Sequence, residues 1–591
     1  MIMNAKSISA GMGASIKKTL AIAFRRSLLP LFCVLAAMPV VAQQPLTTYI
    51  PIDDGDISAS GYGYAGDTND PINAVSFICS GLLTVSNQQF ITYYGQHQTD
   101  PLYQYNGKVW IARRTIGSNT WEVFRTFFPA NDINDGHDVI SFGIDGNGFM
   151  HISWGMHGNS FLYRKSATSV LGTNAIVFGG NPRMTGAENN VTYPQFLTMP
   201  NGDMLFIFRQ GTSGAGDTFI NRYNRITQTW TNQQFNAGQK PFIKGTWTTN
   251  YLGQTVVDYN CYPNMPCLST NGDLYFIWTW RDDPAYQSNH DFSFAKSTNG
   301  GFGWLRSDNT AYTLPISASG ENGDPNTTAE RILTIPQGSS IINQAGMCLD
   351  GNDNPVFAAW WAPGTPTNDY RRQYMVAFPD SNGVWQTRQI SNRTNDPPGT
   401  LEQDATVRDL GRPVVVADKD NRIIVLYRDN SGSNGLTVVH SLPYAVDPLR
   451  TNWTTVVLTT DNLGSYEPVI DLARWQRDNV LDILYQPCTG YGYIAPSNTA
   501  APIGVLEWDA AAYFNQKPAV QIAITNATQD VVLSWPSQTG WGYKVQTSTD
   551  LASWTDLGTL SGNETTLNYI HTNAVADPYR FWRLDVREGG F

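Results

Sequence analysis

Residues 145–154, DGNGFMHISW, set a polar turn against a short apolar strand that ends in an aromatic residue. The pattern recurs along the chain. Asn87-Gln88-Gln89 leads into FITYY (90–94), Asn201-Gly202-Asp203 into MLFIF (204–208), and Asn271-Gly272-Asp273 into LYFIW (274–278). Gly351-Asn352-Asp353-Asn354 leads into PVFAAW (355–360), Lys419-Asp420-Asn421-Arg422 into IIVLY (423–427), and Arg477-Asp478-Asn479 into VLDILY (480–485). These are seven copies, with little helical periodicity between them. One small sheet cannot bury both its faces, whereas sheets stacked radially can, and only short edges stay open. The expectation is an all-β chain with a seven-bladed β-propeller over 43–512.

The pattern stops after VLEWD (505–509), and 510–517 (AAAYFNQK) reads as a linker. Beyond it, VQIAIT (520–525), DVVLSW (530–535), GYKVQTST (542–549), TTLNYI (565–570) and YRFWRLDV (579–586) predict a small β-sandwich over 518–591. STDLASWTDLG (548–558) and YRFWRLDV resemble C-terminal modules of exported bacterial proteins, which implies an accessory or sorting role. Within the repeats, STNGGFGW (297–304) resembles the Asp-box turn of sialidase-like propellers, with Asn in place of Asp and Gly in place of Thr.

The 591 residues carry 38 Lys+Arg against 49 Asp+Glu, a net charge of −11, which excludes a whole-surface basic field for nucleic acid. A local basic site for an anionic substrate remains compatible with that balance. Lys17, Lys18, Arg25 and Arg26 precede an apolar run at 27–41 and a small-residue site before Gln43. We expect residues 1–42 to be a cleaved signal peptide, with the mature protein secreted, periplasmic or at the cell surface and without a membrane span. An uncleaved N-terminal anchor is the other reading of this segment. Of six cysteines, Cys33 leaves with the leader; Cys79, Cys261, Cys267, Cys348 and Cys488 remain. Cys261 and Cys267 are the nearest candidates for one disulfide, or, with His290, for a metal site.

The chemistry-bearing residues concentrate in NDGHDVISFGIDGNGFMHISWGMHGNSFLYRKS (134–166), which holds three of the seven histidines. His151 alternates with Ile152 and Trp154 inside a strand and reads as a packed core residue. His137 and His157 fall at strand ends beside glycines, where a propeller opens to solvent. Tyr193 and Arg209 follow in 189–224, with Arg209 closing an apolar strand before a glycine-rich loop. An arginine there either pairs with a core carboxylate or meets an anionic ligand. Trp278, Trp280, Arg281 and Asn289-His290-Asp291 form a further polar and aromatic group, suited either to stacking on sugar or to packing between blades.

The stretches 134–166, VTYPQFLTMPNGDMLFIFRQG (191–211), 260–301 and LGSYEPVIDLARW (463–475) resemble the BNR-repeat family that includes the seven-bladed propeller ulvan lyases. The resemblance extends over about 70–510. It implies an active site of two histidines about 20 residues apart and a tyrosine followed 16 residues later by an arginine. His137 and His157, and Tyr193 and Arg209, have those spacings. The implied activity is β-elimination on an anionic, uronate-containing, ulvan-like polysaccharide. Arg209 neutralises the uronate carboxylate, His137 takes the C5 proton, Tyr193 protonates the leaving O4, and His157 orients the substrate or shares the carboxylate. That chemistry requires no metal or diffusible cofactor. Some lyases of this type carry a structural zinc held largely by histidines, and no such set is evident here.

Three other readings fit parts of the sequence. A glycoside hydrolase needs a carboxylate pair, for which Asp135, Asp138, Glu188 and Asp291 are available. A sialidase needs an arginine triad, which Arg209, Arg222 and Arg281 could supply. A sugar-binding propeller without catalysis would keep the tryptophans and have no need of His137 with Tyr193.

Overall fold

The computed structural model describes residues 22–23 and 45–590. Excepted are 54, 56–61, 65–70, 76–79, 181–182, 213–214, 233–240, 246–247, 250–254, 257–259, 283–285, 318–328, 365–370, 395–409, 489–499, 517–519, 526–529, 538–539, 564, 573 and 575–579. Apart from Ile22–Ala23, the expected leader lies outside the described residues, as does Cys79. The chain divides into two units, Pro45–Phe514 and a second that contains Asn515–Phe591 with the N-terminal residues. It is nearly all-β. Two short α-helices, Leu472–Asp478 and Ala510–Phe514, occur among the described residues. The second corrects the linker expected at 510–517: Ala510 and Tyr513 are buried, and their apolar side chains fold the segment onto the sheets. No helix among the described residues is long and apolar enough to cross a membrane.

Each of the seven recurring stretches is a strand, and each lies in a different sheet, antiparallel to its neighbours there. The turn before each holds one residue in the left-handed region: Ser86, Gly148, Gly202, Gly272, Asp353, Asn421 and Asn479. This is why Asn, Asp and Gly recur there, since other side chains clash with their own backbone at positive φ. Asp145 fixes its turn by accepting from the N–H groups of Asn147 and Phe149, both at 2.9 Å. Asp418 does the same with Asp420 and Arg422.

Both faces of these sheets are apolar, and neighbours in sequence pack face to face. Phe90 and Ile111 of the first sheet meet Phe142 and Ile152 of the second. Leu205 and Ile207 meet Phe276 and Trp278, and further on Ile277 meets Phe357. Phe357's neighbour Val356 packs with Val425 of the sixth sheet. Ile424 and Leu426 then share a core with Leu481 and Ile483 of the seventh sheet, and with Ile91 and Trp110 of the first. The seventh sheet is built from both ends of the unit: Thr47–Pro51 pairs antiparallel with Gly504–Asp509, Tyr49 opposite Leu506.

STNGGFGW forms the turn its sequence resembles. Ser297 Oγ accepts from Gly301 N, Asn299 Oδ1 accepts from Gly303 N, and Trp304 stacks on Phe242 with centroids 3.9 Å apart. In the second unit, a three-stranded sheet, Gln521–Thr525/Asp530–Pro536/Thr566–His571, and a four-stranded one, Ile22–Ala23/Phe581–Glu588/Trp541–Ser548/Thr555–Ser561, share a core of Leu533, Trp535, Tyr543, Val545 and Trp582. The strand Thr555–Ser561 has no counterpart in the sequence reading; its TDLGTLS is too polar and small to register as a strand.

Candidate active site

The third sheet holds most of the site. His157–Asn159 pairs with Val191–Thr198, which pairs with Met204–Thr212. His157 lies opposite Thr192, and Thr192 lies opposite Arg209, so residues distant in sequence arrive side by side. Gly158 N donates to Thr192 Oγ1 at 2.7 Å and pins the crossing. Register shifts between Thr192 and Gln195. At this irregularity Tyr193 has φ of 53° although it precedes Pro194. A residue before proline favours the extended region, so this backbone is strained. The bulge re-aims the Tyr193 side chain relative to regular pleating.

The loop before Ile140–Ile144 brings His137 to the same place. Asp135 joins the two histidines: its Oδ1 lies 2.6 Å from His137 Nδ1, and its Oδ2 lies 2.6 Å from His157 Nδ1. Asp135 Oδ1 also accepts from the His137 backbone N–H at 2.9 Å. Burial works against the charged carboxylate, but the bonds from both imidazoles outweigh it and hold Asp135 well below the usual carboxylate range. The imidazoles stack with centroids 4.2 Å apart and planes 19° apart. They are a quarter to a third exposed, so solvent and ligand reach them.

Tyr193 lies 6.0 Å from His137 and 6.5 Å from His157, ring to ring. The Arg209 guanidinium sits 4.8 Å from the Tyr193 ring and 5.4 Å from that of Tyr262. Arg281 follows, 4.3 Å over Tyr262 and donating to its hydroxyl at 3.0 Å. The result is a ladder of alternating rings and cations. Burial pushes the Tyr193 phenol up to about 12, although Arg209 pulls the other way, so it is a neutral donor at neutral pH. Arg209 is 4% exposed, and its Nε and Nη1 have no hydrogen-bond partner among the described residues. Gly216 makes room for it: a Cβ there would stand 2.6 Å from Arg209 Cδ.

All four expected site residues, His137, His157, Tyr193 and Arg209, therefore come together. Tyr262 is an addition, and Asp135, read in the sequence only as a carboxylate for a hydrolase, instead bonds its near neighbour His137 and, across 22 residues, His157. Trp278 and Trp280 are fully buried among packed sheets and cannot stack on a sugar. His151 is buried and bonded to the Tyr163 hydroxyl at 2.7 Å, a packing role. His290 sits between Asp282 and Asp291, which together raise its pKa to about 9 against the pull of burial. Cys261 and Cys267 are in no disulfide, one at Thr218 and the other at the Met347 carbonyl. Their strands turn them to different partners, so neither the disulfide nor a site with His290 forms. Glu188 is bound by Thr185 and Asn221, and Arg222 by Asp203, which removes them from a hydrolase pair and a sialidase triad.

Asp135, His137 and His157 offer the donor set of a transition-metal centre. Ligands held at about 2.0–2.2 Å around a tetrahedral ion stand about 3.3 Å from one another. The 2.6 Å separations here are those of hydrogen bonds, so the triad as it stands does not fit a metal.

Among solved structures, the chain is similar to a polysaccharide lyase described as an ulvan lyase bound to GlcA(1-4)Rha3S. Identity is 13%, covering 76% of this chain and 95% of that one, with a TM-score of 0.47. Polysaccharide lyase Uly1 is 15% identical over 76% and 92%, with a TM-score of 0.48. The Fusarium graminearum α-L-arabinofuranosidase Arb93A is 12% identical over 64% and 94%, with a TM-score of 0.36. Likenesses at this level assign no activity. No curated protein matches. The profile of the BNR repeat-containing family matches residues 88–393, just over half of the chain and the part that carries the whole ladder. The chain belongs to the BNR repeat-containing family.

Proposed function

We propose that the seven sheets form a seven-bladed propeller and that the ladder at its third sheet cleaves a uronate-containing polysaccharide by β-elimination. The observation that carries this reading is Arg209, a buried guanidinium with two unpaired N–H groups beside a phenol and two imidazoles. A buried cation without a carboxylate is costly unless it serves an anionic ligand, and its planar fork suits both oxygens of a uronate. With that charge neutralised, the C5 proton passes to His137 Nε2. The C5–H electron pair forms the C4=C5 bond, the C4–O4 bond breaks, and O4 takes the Tyr193 proton. His157 holds the carboxylate alongside Arg209.

Ulvan is the first polymer to test, since one of the lyases to which the chain is similar is described as an ulvan lyase. Export through the leader at 1–42 and an accessory role for the C-terminal unit belong to the same proposal. Incubation with ulvan and other uronate polymers should give the absorbance of unsaturated products. Reducing ends without that absorbance would instead indicate hydrolysis.

A further inference from the structure

We propose that Asp135, His137 and His157 act as one unit that carries a single shared proton, with Asp135 as its positioning residue. The inference rests on the lyase reading for its purpose, but its geometry stands by itself. Each carboxylate oxygen meets one Nδ1 at 2.6 Å. A carboxylate only accepts, so each Nδ1 presents its hydrogen to Asp135 and each Nε2 is turned away from it. One negative charge at this point favours one imidazolium. A second imidazolium would stack 4.2 Å from the first with no further anion between them, which opposes it. The pair therefore takes its protons in two separated steps. Between those steps it holds one neutral imidazole and one cation. Elimination needs that combination: a base for C5–H and a positive group beside the carboxylate.

The charged and titratable surroundings sharpen this balance. On the same loop are Asp132 and Asp138. Asp138 Oδ2 accepts from Asp132 N at 2.6 Å, and burial raises Asp138 to about 6. Tyr94 of the first sheet donates to the Asp138 carbonyl. From the third sheet come Tyr193 and the Arg209 cation, and behind them Tyr262 and Arg281 of the fourth. The cations disfavour a second proton on the pair.

The test is a titration of the ring signals of histidine-labelled full-length protein by NMR, assigned with His137→Gln and His157→Gln. It is run beside kcat/KM against pH for the wild type, Asp135→Asn and Asp135→Glu. The wild-type rings should titrate together in two resolved steps. In Asp135→Asn the first step, and with it the basic limb of kcat/KM, should move about one pH unit or more towards acid. Asp135→Glu should restore much of it. A merely structural Asp135 would lower activity evenly across pH and leave the limb in place, which overturns the proposal. So would two wild-type rings titrating independently in a single step. Should Asp135→Asn not fold, the wild-type titration still decides. Should no polymer yield unsaturated product, that failure strikes the lyase reading, and the NMR result judges the unit separately.

Discussion

Arg209 reaches the ladder only because Gly216 has no side chain. Gly216→Ala should displace the guanidinium and lower kcat/KM on a uronate polymer by at least tenfold, with only a small change in melting temperature. Unchanged activity in the folded variant would show that the close approach does not position Arg209. Tyr193→Phe removes the donor and keeps the ring between the histidines and Arg209. Turnover should fall on the order of 10²-fold or more, the scale for one general acid, while substrate still binds. Near-wild-type turnover would remove Tyr193 from the chemistry. His137, His157, Tyr193 and Arg209 were legible in the sequence because their spacings and strand-end positions carry information. Asp135 was read only as a carboxylate for a hydrolase, since its bond to His157 is settled by a loop meeting a strand of the next sheet. The sequence left Trp278 and Trp280 open between sugar stacking and blade packing for a related reason: an aromatic strand reads alike whether it faces a sugar or a neighbouring sheet.

At the scale of elements, the recurring turn was the most legible feature, and its positive φ gives the cause. Asn479 closes the helix Leu472–Asp478 in the left-handed region, with φ 53° and ψ 35°. Asn479→Gly should be tolerated, whereas Asn479→Val should destabilise by about 1–2 kcal/mol, read from denaturant midpoints. Equal midpoints would mean that this turn relaxes at no cost. The helix itself escaped the sequence reading because seven residues are too few for a periodic signal. Asp471 nonetheless caps it, accepting from Arg474 N at 3.0 Å, and Trp475 is buried beneath it. The bulge at Thr192–Gln195 left no sequence mark beyond Tyr193-Pro194, because it follows from pairing with Met204–Thr212.

Within Pro45–Phe514, the first and seventh sheets meet at a polar cluster. Asp482, fully buried, accepts from Gln89 Nε2 at 2.6 Å, near Asp471 and Glu507. Arg114 stands 3.5 Å away and Arg474 3.7 Å away, yet burial and the two neighbouring carboxylates prevail and push Asp482 up to about 7. Folding therefore takes up a proton between about pH 4 and pH 7, and stability falls as pH rises through that window. Asp482→Asn, neutral throughout, should lose that decline, so its melting temperature should gain on the wild type from pH 4 to pH 7. Parallel curves would place the proton elsewhere. A chain ending at Phe514 should melt cooperatively on its own, since Pro45–Phe514 is a unit by itself. The pairing of the unit's two ends within the seventh sheet has a consequence for synthesis. Thr47–Pro51 is among the first segments of its unit to leave the ribosome, and its partner Gly504–Asp509 is among the last. Through most of translation the early strand travels with an unpaired edge, open to chaperones and to other nascent chains. A ribosome that stalls anywhere before Gly504 releases a product whose first strand keeps that edge unpaired.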